Sequence, residues 1–176
     1  MVSFLTLHRG FRFIRSATGT RIRIHFVSFC SETSLSEVAT EFNAYRLDSL
    51  DITETRWADN GRLTLGIEET LLYSGHEEEN ANPMKEVGLM LSRQVTKSLL
   101  GWQPERFRIV SAVFKTNKKK INLWVINCYA PTNEIEEDVK EQFYAKLQDV
   151  PKKSKAEDIT ILMGDFNSQR GNYNKV

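Results

Sequence analysis

The chain has 176 residues, 40% of them hydrophobic and 27% charged, which is enough for one domain with its own core. Its net charge of +1 excludes the strongly basic or acidic balance that marks a partner by charge alone. No apolar run reaches the length of a membrane span.

The charges are unevenly spread. Residues 1–31 hold Arg9, Arg12, Arg15, Arg21 and Arg23 and no acid, the composition of a mitochondrial transit segment or of an unstructured leader. Glu77, Glu78 and Glu79 stand in a row in a more acidic middle. Cys30 and Cys128 lie far apart without metal-site spacing, which fits a reducing compartment, nuclear or cytoplasmic, better than a disulfide.

Taken in order, the first clear element starts at Ser34. With Glu37 it fits a capping box, and Leu35, Val38, Ala39 and Phe42 follow at helical spacing. "DSLDIT" reads as a short strand that delivers "ETRW" at its end. "RLTLGIEETLLYSGH" reads as two short strands around a turn, "EEENANP" as an exposed loop and "EVGLMLS" as a strand. "FRIVSAVFK" and "INLWVINCYA" flank "TNKKK" and predict a hairpin with a basic tip. Its second strand is apolar almost throughout, as a strand buried on both faces is. Ile135, Val139, Phe143, Leu147 and Val150 form one stripe of a helix that Asn133 and Glu136 are placed to cap. "KKSKAED" is a charged loop and "ITILM" the last strand. Strands outnumber helices and come as hairpins and crossovers, which predicts a layered α/β or α+β sandwich.

Polar groups stand where three apolar strands stop. Glu54 follows "LDIT", Tyr129 ends "LWVINCY" with Asn127 two residues before it, and Asp165 and Asn167 follow "ITILMG". Ligands collect where strands of an α/β sheet end. Glu54 and Asp165 are hard oxygen donors of the kind Mg2+ prefers, and the Tyr129 phenol can donate to a phosphate oxygen. In an extended segment Asp165 and Asn167 share a face, so that Asp165 orients or deprotonates a water while Asn167 holds the phosphate. Each residue alone is more readily a cap or turn residue. Together they form equipment for metal-assisted hydrolysis of a phosphodiester.

"ETRW", "YSGH", "NCYAPT" and "ILMGDFN" resemble the motifs of the endonuclease/exonuclease/phosphatase superfamily. The likeness is to the apurinic-endonuclease-like domain of non-LTR retrotransposons and to host proteins of the craniofacial development protein 2 type. It runs from about Ser34 to Asn172. The resemblance implies an α/β fold, a four-layered β-sandwich of two sheets face to face with helices outside. It also implies a nuclease that nicks DNA with Mg2+ or Mn2+. Carried over by motif, Glu54 matches the metal-binding glutamate and Tyr129 the tyrosine near the scissile phosphate. Asp165 matches the aspartate that aligns the attacking water, and Asn167 the asparagine that contacts the phosphate or the metal. Arg56 and Trp57, two and three residues after the matched metal-binding glutamate, are candidates for contact with nucleic acid.

The chain departs from that pattern twice. The family's opening strand carries an asparagine that helps hold the metal; the matching segment, "RIHFVSFCSET", has none. The family's terminal serine-aspartate-histidine motif is absent, since His8, His25 and His76 are the histidines of the sequence. The expected organisation is a basic leader over residues 1–31 and an incomplete domain over 32–176, with "ITILM" left at a sheet edge. The expected activity is weak or absent. The alternatives are a remnant of a mobile element that binds nucleic acid without cleaving it, through groups such as Lys118, Lys119, Lys120 and Trp124, and a phosphatase of the same superfamily.

Overall fold

The computed structural model describes residues 3–4, 12–15, 21–28, 35–55, 59–66, 68–75, 86–105 and 108–167, with side chains from residue 35 onward except those of 54, 55 and 86. The capping position Ser34, the "EEENANP" loop, His76, Cys30, Arg56 and Trp57 lie outside the described residues.

Two units with the same plan organise the chain. In the first, β3 (Arg21–Ser28) leads through helix α1 (Leu35–Ala44) to β4 (Ser49–Thr55), and β3 and β4 pair in parallel. In the second, β10 (Asn122–Tyr129) leads through helix α3 (Glu137–Asp149) and a 3-10 turn (Val150–Lys153) to β11 (Ile159–Asp165), again in parallel. A parallel pair requires a crossover, and the helix supplies it. The hairpin strands β5 (Gly61–Thr64), β6 (Thr70–Ser74) and β7 (Glu86–Leu91) extend the first sheet, and β8 (Leu99–Pro104) and β9 (Ile109–Lys115) the second. Short strands β1 (Ser3–Phe4) and β2 (Arg12–Arg15) complete the set. Among the described residues the six-stranded sheet runs β2-β3-β4-β7-β6-β5 and the five-stranded sheet β1-β11-β10-β9-β8.

Alternation along the strands fixes the layers. Leu50 and Ile52 on β4, with Leu71 and Met90, turn to Val38 and Phe42 of α1. Ile126 and Cys128 on β10, with Ile109 and Leu162, turn to Phe143, Leu147 and Val150. The opposite faces meet each other: Leu72, Val87, Leu89 and Leu91 of one sheet pack against Val110, Ala112, Phe114, Val125 and Met163 of the other. Helix, sheet, sheet and helix are thus four layers, as expected, and β10 is buried on both faces from Val125 to Tyr129.

Four local readings differ. Helix α2 (Arg93–Thr96), capped by the Ser92 hydroxyl, and strand β8 carry no clear period in the sequence; β8 pairs at the sheet edge and alternates only weakly. Helix α3 starts later than Asn133 predicts: its N-cap is Glu136 and makes no side-chain capping bond. The "KKSKAED" segment begins inside the 3-10 turn, which Pro151 favours at its start. Strand β11 is not wholly a bare edge, because Ser3 and Phe4 of β1 pair with Ile161 and Leu162, while Ile159 stays 41% exposed.

Candidate active site

Both parallel units end on the same kind of residue. Glu54 lies at the C-terminal end of β4, Tyr129 at that of β10 and Asp165 at that of β11. On β4 the register against β7 slips between Thr53 and Thr55. Bulges are common beside active sites.

Tyr129 and Asp165 are register partners across the β10–β11 ladder. Gly164 makes the approach possible. It lies opposite Cys128, has φ +134°, and a Cβ there would sit 1.7 Å from the Cys128 carbonyl oxygen. Beyond the strand the chain does not stay extended, contrary to the expectation. Asn167 has φ 45°, and its backbone N–H donates to Asp165 Oδ1 at 2.9 Å. Its side-chain Nδ2 donates to the Ala130 carbonyl. A turn, and not strand alternation, therefore brings Asp165 and Asn167 together, and asparagine tolerates that backbone better than most residues. Tyr129 is 1% exposed, whereas Asp165 and Asn167 are half-buried at the mouth.

Three further residues join them. Asp51, on the inward face of β4, is 1% exposed and accepts a hydrogen bond from Asn127 Nδ2. The same nitrogen donates to Gly88 O at 3.0 Å, so Asn127 ties β10 to β4 and β7 of the facing sheet. Burial pushes the Asp51 carboxyl up to about 8; the Asn127 bond opposes this and the charge of Asp165 adds to it. Asp51 is therefore protonated at neutral pH. Arg108, just before β9, accepts the Tyr129 N–H on its carbonyl at 2.9 Å. Its guanidinium carbon stands 5.7 Å from the Tyr129 ring centroid. Asn127 stands out in the sequence beside Tyr129, whereas Asp51 and Arg108 belong to no motif there. An acid between Leu50 and Ile52 in an otherwise apolar strand was an available signal; an arginine ahead of a strand was not.

Other expected features lie elsewhere. Lys118, Lys119 and Lys120 sit exposed in the β9–β10 turn, at the opposite end of β10 from Tyr129. Trp124 is half-buried and its indole N–H donates to Asp158 Oδ2 at 3.1 Å. Trp102 packs against the inter-sheet core. Cys128 is a buried free thiol, pushed up by burial and by the nearby Asp51 and Asp165. Among the described residues no group of three or more His, Cys, Asp or Glu could hold a metal ion, and no helix is long and apolar enough to cross a membrane.

Facing sheets between outer helices, with Tyr129 and Asp165 at adjacent strand ends, make up the fold of the endonuclease/exonuclease/phosphatase superfamily, as the motifs lead one to expect. In sequence the chain is similar to Craniofacial development protein 2 of Bos taurus, at 29% identity over 137 residues, covering 78% of this chain and 22% of that protein. In structure it is similar to a 3′ phosphatase from Neisseria bound to a product DNA hairpin, with TM-score 0.59 and 18% identity, over 82% of this chain and 57% of the other. The endonuclease domain of TRAS1, a telomere-specific non-LTR retrotransposon, aligns with TM-score 0.54 and 12% identity, over 82% of this chain and 58% of that domain. The chain thus spans about a fifth of the curated relative and under two thirds of either structure. No protein-family profile matches it.

Proposed function

We propose that the strand ends carrying Glu54, Tyr129, Asp165 and Asn167 form a phosphodiester-hydrolysing site of the DNA-endonuclease type, derived from a non-LTR retrotransposon and weakly active. The observation that supports this most is the register pairing of Tyr129 with Asp165, with Asn167 folded back onto Ala130 beside them. Asp165 orients and accepts a proton from the attacking water. The bond from the Asn167 N–H fixes the rotation of its carboxylate. The Asn167 amide and the Tyr129 phenol are the proposed donors to the phosphate oxygens.

The donors at the strand ends are oxygens, which fits Mg2+ or Mn2+, and Glu54 is the residue that would hold the ion. Once bound, the ion would polarise the phosphoryl group. Arg56 and Trp57, two and three residues after Glu54, are proposed to contact the DNA.

Supercoiled plasmid incubated with Mg2+ tests the reading. Slow conversion to the nicked circle is expected, abolished by chelation and by Asp165→Ala; nicking that persists in that variant sinks the assignment. One observation favours a second reading, of nucleic-acid binding without cleavage. Strand β3, in the segment that matches the family's metal-binding opening strand, contains no asparagine. Salt-dependent DNA binding with no nicking at any metal concentration would select it.

A further inference from the structure

Arg108, just before β9, flanks Tyr129 at the end of β10 on one side and Asp165 at the end of β11 flanks it on the other: the Tyr129 N–H bonds Arg108 O at 2.9 Å, and Tyr129 is the register partner of Asp165. The cation of that row is held in an unusual state. Arg108 is 7% exposed, yet among the described residues its Nε has no hydrogen-bond partner. Nη1 reaches the Ala130 carbonyl at 3.4 Å, too long for a strong bond. Burial works against its charge, and Tyr129 only partly opposes this. A buried charge without an opposite partner is costly, and the face of one aromatic ring returns only part of that cost.

A second contact gives the arrangement a direction. The Ala130 carbonyl that Arg108 touches also accepts the Asn167 amide. Guanidinium and amide therefore converge on the Ala130 carbonyl, next to the Tyr129 ring and beside the half-buried Asp165 and Asn167. Planar guanidinium matches the oxygens of a phosphate and makes short, charge-assisted hydrogen bonds to them. The weak bond to Ala130 is one the side chain readily gives up for such a partner.

We propose that Arg108 is an anion-binding residue of this site, whose guanidinium takes a non-bridging oxygen of a substrate phosphate seated between Tyr129 and Asn167. This rests on the phosphodiester reading above and adds to it a cation beside Tyr129, Asp165 and Asn167, none of which carries a positive charge. Arg108 is there to be paired by the substrate.

Titration with inorganic phosphate in metal-free, low-salt buffer, followed by phosphorus NMR and accompanied by thermal melts, tests the role. Arg108→Met is expected to weaken phosphate binding by about tenfold or more. Its melting temperature should equal or exceed that of the wild type, because a buried unpaired charge has been removed. A purely structural arginine would lower it. Arg108→Lys keeps the charge without the fork and should bind at an intermediate level. Replacing Lys118, Lys119 and Lys120 with alanine, at the far end of β10, should change nothing. Wild-type protein that binds no phosphate, or Arg108→Met that binds it equally well, overturns the proposal. If Arg108→Met does not fold, Arg108→Lys decides: unchanged affinity rejects the role and a several-fold loss supports it. Arg108-dependent binding in a chain that nicks no plasmid would keep the anion site and discard the hydrolase; nicking with Arg108-independent binding would do the reverse.

Discussion

Gly164 does more for the site than its lack of a side chain suggests. Cys128 lies opposite it, and a Cβ at Gly164 would fall 1.7 Å from the Cys128 carbonyl oxygen and 2.8 Å from its nitrogen. Backbone atoms cannot turn aside as the end of a long side chain can. The φ of +134° adds strain for any L side chain. Gly164→Ala must therefore push β11 away from β10, at the point where Tyr129 and Asp165 pair. The expected loss is about 3 kcal/mol or more in urea denaturation, with plasmid nicking lost along with it. A variant as stable as wild type would show that the two strands need not approach so closely. Asn167 illustrates the same scale from the other side. Its φ of 45° is tolerable because its own amide and backbone N–H find Ala130 and Asp165.

Helix α3 and the turn after it are fastened to the five-stranded sheet by one acid. Glu105, just past β8, has a side chain only 3% exposed; Lys146 Nζ of α3 lies 3.1 Å from it, and Lys153 Nζ of the 3-10 turn is closer still. The Ser111 hydroxyl on β9 donates to it at 3.1 Å. Burial works against the Glu105 charge, but the bonds from Lys153, Lys146 and Ser111 outweigh burial and hold the carboxyl below its usual range. Its contribution is thus present above the ordinary carboxylate value and is lost as pH falls through the lower folded one. Replacing Lys146 and Lys153 together with alanine strands a buried anion and should destabilise by about 3–5 kcal/mol in urea denaturation. Glu105→Gln should cost less, because both lysines, at 35% and 39% exposure, can turn to water. The reverse ranking would deny Glu105 this anchoring role. The apolar stripe of α3 was readable because Phe143, Leu147 and Val150 repeat on one face. The anchor was not, because residues 105, 146 and 153 meet only once the helix has docked.

At the scale of the whole molecule, the two sheets meet through an apolar core broken by a polar pair. Asn127 reaches from β10 to Asp51 and Gly88 in the facing sheet. Asp51 is the more consequential partner, since burial raises its carboxyl from 3.8 to about 8. The unfolded chain releases that proton near pH 4, whereas the folded one keeps it until about pH 8. Between these values the folded state binds more protons, so stability is highest at the acid end and declines as pH rises toward 8, then levels off. Asp51→Asn keeps the shape and an acceptor for Asn127 without the titrating group. Urea denaturation from pH 5 to 9 should show a smaller decline for this variant and a stability advantage of roughly a few kcal/mol at pH 8. Parallel curves for the two proteins would place Asp51 in a wetter setting.

Much of this architecture was legible in advance because strand and helix periods are local. Leu50 and Ile52 alternate with Asp51 and Thr53, and the buried stretch of β10 is apolar on both faces but for Asn127, so these segments declare how many sides they bury. Polar residues at the ends of such runs make Glu54, Tyr129, Asp165 and Asn167 candidates, and it is the motif resemblance that attaches roles to them. Sequence also determined the superfamily likeness, through motifs held in order along the chain. What it left open was which faces would meet. Tyr129 gains Arg108 on one side from an antiparallel ladder and Asp165 on the other from a parallel one, across separations of 21 and 36 residues. Asp51 becomes a buried neutral acid only because the second sheet closes over it. Charge state and neighbourhood depend on distance and dielectric in three dimensions, and periodicity carries neither.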